Sequence, residues 1–213
     1  MKIELKQTHK SLFTAAFDIL EKNKKIGEIY IQGQNNDPTG RVRITYRTLT
    51  YEFRKTLGIN DVYIISPYTL YLDNTEVAEV ATFNTNVNSI TNYQYNKINI
   101  MDGLKAEFLE YRFEMGHEGT QRIIYQEEKP IMLIETSQYV FESKYNADIY
   151  CKDYEYGLVG IICYIQEYLN YYFKPGEEIK LNKTKINKKT LNPLLLKKYN
   201  KDFISNLKMQ REG

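Results

Sequence analysis

Residues 156–173 read YGLVGIICYIQEYLNYYF, and no other stretch of the chain is so long and so apolar. Such a segment has to be surrounded, by lipid or by the rest of the protein, so it constrains the fold more than any other part. The unbroken apolar part runs only from Tyr156 to Ile165, and Gln166, Glu167 and Asn170 follow. A helix that crosses a bilayer needs roughly 20 predominantly apolar residues, so no transmembrane segment is expected. As a soluble helix the segment begins after Asp153, a good N-cap, and stops before Lys174-Pro175-Gly176. It would be about 27 Å long at 1.5 Å per residue. Leu158, Val159, Ile161, Ile162, Ile165, Tyr168, Leu169, Tyr172 and Phe173 leave little of its circumference polar. A helix apolar nearly all round is one enclosed by protein.

The preceding residues supply the enclosure. KIELK, LFTAAFDIL, IGEIYIQ, RVRITYRTLTYEF, VYIIS, YTLYLD, EVAEVATF, YQYNKINI, TQRIIYQ, PIMLIE and QYVFES are short runs rich in β-branched and aromatic residues. EKNKK, GQNNDPTG, GIND, DNT, NTNVNS, MDG, GHEG, QEEKP and KYNAD separate them with turn chemistry. In RVRITYRTLTYEF, Val42, Ile44, Tyr46, Thr48 and Thr50 fall on one side, which reads as one long strand. LKAEFLEYRFE is ambiguous between helix and strand. Its alternation changes phase between Phe108 and Leu109, as a strand with a bulge would. Helices of the length a parallel sheet needs between its strands are missing.

The expected fold is therefore mainly β: an antiparallel β-barrel of about twelve strands enclosing one hydrophobic α-helix over residues 154–173. An open sheet with the helix lying on it, in two α+β layers, is the competing arrangement. QRIIYQEEKPIMLIETSQYVFESKYNADIYCKDYEYGLVGIICYIQEYLNYYF reads as closing hairpins, a polar turn with Asp148 and Asp153, and then the helix. In that order of elements it resembles the tubby C-terminal-like group, which includes the LURP-one-related proteins and the phospholipid scramblases. Residues 12–32, a strand followed by KNKKIGEIYI, are similar to that group's opening hairpin. The resemblance covers residues 1–173 in element order and implies contact with phospholipid or phosphoinositide head groups. It transfers no binding residue.

Residues 174–213 depart from that pattern and form a second unit, a basic tail. They hold eleven Lys/Arg against four Asp/Glu, so the near-neutral formal charge of +2 conceals an acidic body and a basic tail. Asn192-Pro193 suits a helix start. Leu195, Leu196, Tyr199, Phe203, Ile204 and Leu207 then share a stripe, which predicts an amphipathic helix over 193–209. Lys183, Lys185, Lys188, Lys189, Lys197, Lys198 and Lys201 are the candidate contact residues, for an anionic membrane, an acidic protein partner or the chain's own acidic body. Nucleic acid is disfavoured, because the body is net negative and no stacking motif or helix-turn-helix is recognisable.

Catalytic chemistry finds no anchor. Only His9 and His117 are present, and EMGHEG (Glu114, His117, Glu118) reads as a solvated turn rather than a metal site, which needs three well-placed ligands. No nucleophile elbow, phosphate loop or dinucleotide fingerprint occurs. The glycines of GLVG, 157–160, read as close packing of the helix. Cys151 and Cys163 are expected as buried thiols, and MKIELKQTHKSLF shows no secretory h-region, so a cytoplasmic protein is expected, with a peripheral membrane location open to it. Twenty Tyr without Trp, beside abundant Lys, Asn and Ile, are what A/T-rich codons supply, so an A/T-rich bacterial source is expected, with a selected aromatic binding surface as the alternative. No cofactor, metal or catalytic residue is assigned. The expected function is a non-catalytic binding module. The alternatives are an interaction protein oligomerising through Leu196, Phe203 and Leu207, and an enzyme with a carboxylate/tyrosine site in the barrel mouth.

Overall fold

The structure is a computed structural model, and it describes all residues except 35–36, 57–63, 86–92, 115–118, 137–144, 174, 176–192 and 210–213. Twelve antiparallel strands form a closed barrel. They are β1 (Lys2–Lys10), β2 (Thr14–Glu21), β3 (Lys24–Gln34), β4 (Asp37–Tyr46), β5 (Leu49–Lys55), β6 (Ile64–Leu72), β7 (Thr75–Asn84), β8 (Gln94–Ile100), β9 (Glu107–Glu114), β10 (Thr120–Gln126), β11 (Lys129–Thr136) and β12 (Ala147–Tyr150). Each strand pairs with its neighbour in sequence, and β1 closes the ring against β12 through Lys2↔Tyr150 to Leu5↔Ala147. Closure leaves no edge strand, which removes the usual route to edge-to-edge aggregation.

The helix α1 (Tyr154–Glu167) runs inside the ring and continues as one π-helical turn, Tyr168–Tyr172. Asp153 caps it as the sequence predicts: its Oδ1 accepts from the backbone N–H of Glu155 at 3.1 Å and of Tyr156 at 3.2 Å. Val159, Ile161, Ile162, Cys163, Tyr164 and Ile165 are all buried, so the helix is covered on every side. Its partners are lumen-facing residues such as Ile3, Leu5, Phe17, Ile44, Phe53, Leu70, Val80 and Ile149. Each fully buried side chain of this kind contributes about 1.5–3 kcal/mol relative to exposure. The two helix glycines are contact points. A Cβ on Gly160 would fall 2.6 Å from Ile149 Cγ2 and 3.1 Å from Met132 Sδ, and one on Gly157 would fall 2.5 Å from Ile3 Cδ1.

The strand count is met, but not by the runs expected. RVRITYRTLTYEF is a hairpin rather than one strand: β4 ends at Tyr46, Arg47 takes a φ of 59°, and Thr45 pairs with Thr50. No Gly, Asn, Asp or Pro marks that turn, which is why the pattern hides it. Ile64–Ser66 of VYIIS and Tyr68–Leu72 of YTLYLD belong to one strand, β6, whose register shifts against β7 between Ile65 and Tyr68 around Pro67; the first two residues of VYIIS lie outside the described residues. The closing strand is ADIY, whose first two residues fall in KYNAD, read above as a turn, while QYVFES lies outside the described residues. LKAEFLEYRFE contains strand β9, and its pairing with β8 runs from Tyr95↔Tyr111 to Asn99↔Glu107 without the expected bulge.

The two ends of the barrel differ. At the end where α1 enters, β2–β3, β4–β5, β6–β7 and β10–β11 are joined by two residues each. Lys22-Asn23, Asp73-Asn74 and Glu127-Glu128 take positive φ at both positions, which matches the right-handed twist of the flanking strands. At the opposite end, where the helix stops, β5–β6, β7–β8 and β11–β12 are joined by eight, nine and ten residues. The expected tail helix over 193–209 is two helices, α2 (Pro193–Leu196) and α3 (Lys201–Met209). Asn200 breaks the run by capping α3, accepting from Phe203 N–H at 2.8 Å.

Candidate functional site

Near the long-connection end the barrel interior turns polar. Along β9, Phe108 belongs to the core around the helix, and the next two residues on that face are Glu110 and Arg112. Arg122 on β10, Asn96 on β8 and Thr82 on β7 join them, and α1 contributes Gln166 and Glu167. Arg122 is the hub, with an exposure of 1%. Its Nη1 lies 3.0 Å from Glu110 Oε1 and 2.9 Å from Glu167 Oε2, and donates to the carbonyl of Cys163 at 3.3 Å. Arg112 holds the second oxygen of Glu167 at 2.7 Å. Asn96 Nδ2 donates to Glu110 Oε2 at 3.0 Å, the Thr82 hydroxyl donates to Asn96 Oδ1 at 2.7 Å, and Gln166 Nε2 donates to Thr82 Oγ1 at 3.3 Å.

Burial works against the Arg122 charge, but the carboxylates of Glu167 and Glu110 outweigh it and hold its pKa above the ordinary value. The Cys163 thiol is pushed well up, first by burial and then by the Glu110 charge, so it is no thiolate nucleophile. A cavity of about 50 Å³ remains beside the helix end. Among the described residues it is lined by two Arg and two Glu with amide, Thr and Tyr side chains, and by no His, Ser or Lys. Nε and Nη2 of Arg122 are buried with no hydrogen-bond partner among the described residues. The cavity therefore offers donors to water or another small acceptor.

The second candidate is the tail. Its apolar stripe is used by its own barrel: Leu195, Tyr199, Phe203, Ile204 and Leu207 pack over Tyr111, Phe113, Ile123, Tyr125 and Leu133, the outward residues of β9–β11. Tyr125 Oη donates to the carbonyl of Lys198 at 2.6 Å, and Tyr199 Oη donates to Gln121 Oε1 at 2.9 Å. Of the predicted contact lysines, Lys198 pairs with Glu128 at 2.5 Å and lies 5.5 Å and 5.7 Å from the ring centres of Tyr111 and Tyr125. Lys208, not singled out from sequence, pairs with Glu135 at 2.7 Å. Lys197 and Lys201 are exposed. Lys183, Lys185, Lys188 and Lys189 lie outside the described residues, as do His117 and Glu118. Phe203 and Leu207, proposed for oligomerisation, face the chain's own barrel, while Leu196 is exposed.

Sequence reasoning missed the Arg122 cluster. The signal was present as the apparent phase change in LKAEFLEYRFE. Leu109, Tyr111 and Phe113 are outward residues waiting for the tail, while Glu110 and Arg112 alternate with them towards the helix. Among the described residues, no three His, Cys, Asp or Glu side chains converge as a metal-binding set. No described helix is long and apolar enough to cross a membrane. No family model, curated protein or solved structure matches the chain.

Proposed function

We propose that the chain is a non-catalytic binding module that contacts anionic phospholipid head groups, acting peripherally from the cytoplasm. A barrel filled by its own helix has little interior left for a substrate: the cavity beside the helix holds about 50 Å³, and a second one, between β6, β7 and β8 beside Tyr68, Phe83 and Lys97, holds about 120 Å³. The closed twelve-stranded ring around that helix agrees with the architecture implied by the resemblance to the tubby C-terminal-like group. The observation that carries the lipid reading is how the tail is used. Its apolar stripe is spent on the barrel, yet Lys197 and Lys201 stay exposed, and Lys183, Lys185, Lys188 and Lys189 precede the docked helices in sequence. Contact by the tail is then electrostatic, at ~1 kcal/mol per lysine near an anionic surface, and weakens with salt.

The test is flotation of the full chain with phosphatidylcholine vesicles, with and without phosphatidylserine, at low and moderate salt. Deleting the tail would uncover Tyr111, Phe113, Ile123 and Leu133, which would themselves adhere to lipid. The informative variant is therefore Lys183→Gln/Lys185→Gln/Lys188→Gln/Lys189→Gln. Binding should require phosphatidylserine, decline with salt and fall in the variant. Equal flotation with neutral and anionic vesicles, or no effect of the four substitutions, overturns the reading.

A further inference from the structure

Among the described residues, the large apolar side chains left exposed are scattered, with one consecutive pair: Leu12, 45% exposed, and Phe13, 39% exposed. They occupy the connection between β1 and β2, a place where turn chemistry favours Gly, Asn, Asp or Ser. The turn is firmly built. Ser11 Oγ accepts from the N–H of Phe13 at 3.3 Å and of Thr14 at 3.0 Å, and Ser11 N–H donates to the Thr14 carbonyl at 2.7 Å. The Phe13 carbonyl accepts from Gly33 N–H at 2.8 Å, tying the tip to β3. The two apolar side chains are thus held out in water by a fixed backbone.

Their neighbours explain what they could meet. The connection lies at the long-connection end of the barrel, where the helix stops. A Cβ on Gly33 would fall 2.3 Å from Pro175 Cγ and 3.0 Å from Phe173 Cε1, so the residues that begin the basic tail lie against the strand to which the tip is bonded. Lys10 flanks the tip and is half-buried, with its pKa lowered by that burial. An apolar pair on a rigid hairpin, beside the origin of a segment rich in lysine, has the two halves of an interfacial anchor. One half gains by leaving water and the other by meeting negative charge.

We propose that Leu12 and Phe13 form a wedge that enters the interfacial layer of an anionic phospholipid bilayer, next to Pro175 at the start of the basic tail. The inference rests on the lipid reading above and adds to it an orientation, with the long-connection end facing the membrane. Charge and wedge contribute separately. Lysine substitutions should flatten the salt dependence of binding, whereas Leu12→Ser/Phe13→Ser should lower affinity at every salt concentration, by roughly ten- to hundredfold.

The chain contains no Trp, so a single introduced one reports its own environment. Phe13→Trp in the full chain should shift its emission to the blue on adding vesicles containing phosphatidylserine, and should be quenched by lipids brominated on the acyl chains. Leu49→Trp is the control, because Leu49 is 45% exposed beside the β4–β5 turn at the opposite end. It should show neither effect. Flotation without a shift or quenching at position 13 overturns the wedge while leaving the lipid reading in place, as does an equal response at both positions. Absence of flotation by the unsubstituted chain overturns both, and a blue shift induced only by a soluble protein would assign the tip to a protein partner instead.

Discussion

Arg122→Met tests whether the polar cluster is structural. The substitution keeps approximate length and removes the one guanidinium that touches both Glu110 and Glu167. The side chains of Arg122 and Glu110 are each 1% exposed and that of Glu167 is 6% exposed, so water cannot take over. Glu167 retains Arg112, whereas Glu110 retains the Asn96 amide and no described cation. Removing one member of a buried ion pair costs about 3–5 kcal/mol. At roughly 2–4 °C per kcal/mol for a domain of this size, the midpoint of thermal unfolding should fall by about 6–20 °C. Urea titration should show the lower midpoint with an unchanged slope, because the surface exposed on unfolding stays the same. An uncompensated buried carboxylate favours its protonated form, so the loss of stability relative to the parent should shrink as pH falls. Arg122→Met/Glu110→Gln removes the orphaned charge and keeps an acceptor for Asn96, while Glu167 stays paired with Arg112, so it should recover at least half of the loss. A single variant within about 1 kcal/mol of the parent, or a double variant as unstable as the single, would refute the reasoning.

Three other substitutions separate the parts of the fold. Ile162→Asp places an unpaired charge at a fully buried position of the central helix and should abolish cooperative unfolding, read by circular dichroism. Gly160→Ala would gain about 1 kcal/mol of helix propensity on an open surface, but its methyl would meet Ile149 Cγ2 on β12. Overpacking costs about 1–3 kcal/mol, so the urea midpoint should fall and not rise. Ile204→Asp acts at the seam between α3 and the barrel, where Ile204 is 6% exposed. It should release the tail to limited proteolysis while the barrel still melts in one transition, and loss of the barrel would show that the tail belongs to the core.

Legibility in the sequence followed the range of the interactions involved. The helix was read with its cap and its end because Asp153, the apolar circumference and Pro175 act within a few residues of one another. The turn at Arg47-Thr48 was missed because its positive φ is imposed by the pairing of β4 with β5 and not by a turn residue. The start of the closing strand Ala147–Tyr150 reads as a turn for a similar reason: four residues carry too little pattern, and the strand exists by pairing with β1 and β11 at once. The cluster around Arg122 joins β7, β8, β9, β10 and α1, a set no spacing rule connects.

The sequence by itself determined that a helix apolar on all faces had to be enclosed, that enough short strands precede it to do so, and that positive charge collects after residue 174. Periodicity and composition express those properties residue by residue. Tertiary structure alone decided which side of β9 and β10 faces the helix, and so that Glu110, Arg112 and Arg122 meet Glu167 rather than solvent. It also laid the tail's apolar stripe on β9–β11, and brought Pro175 against Gly33 beside the Leu12-Phe13 tip. Each of these depends on closing the ring between β1 and β12, a contact between the two ends of the barrel sequence that no local pattern encodes.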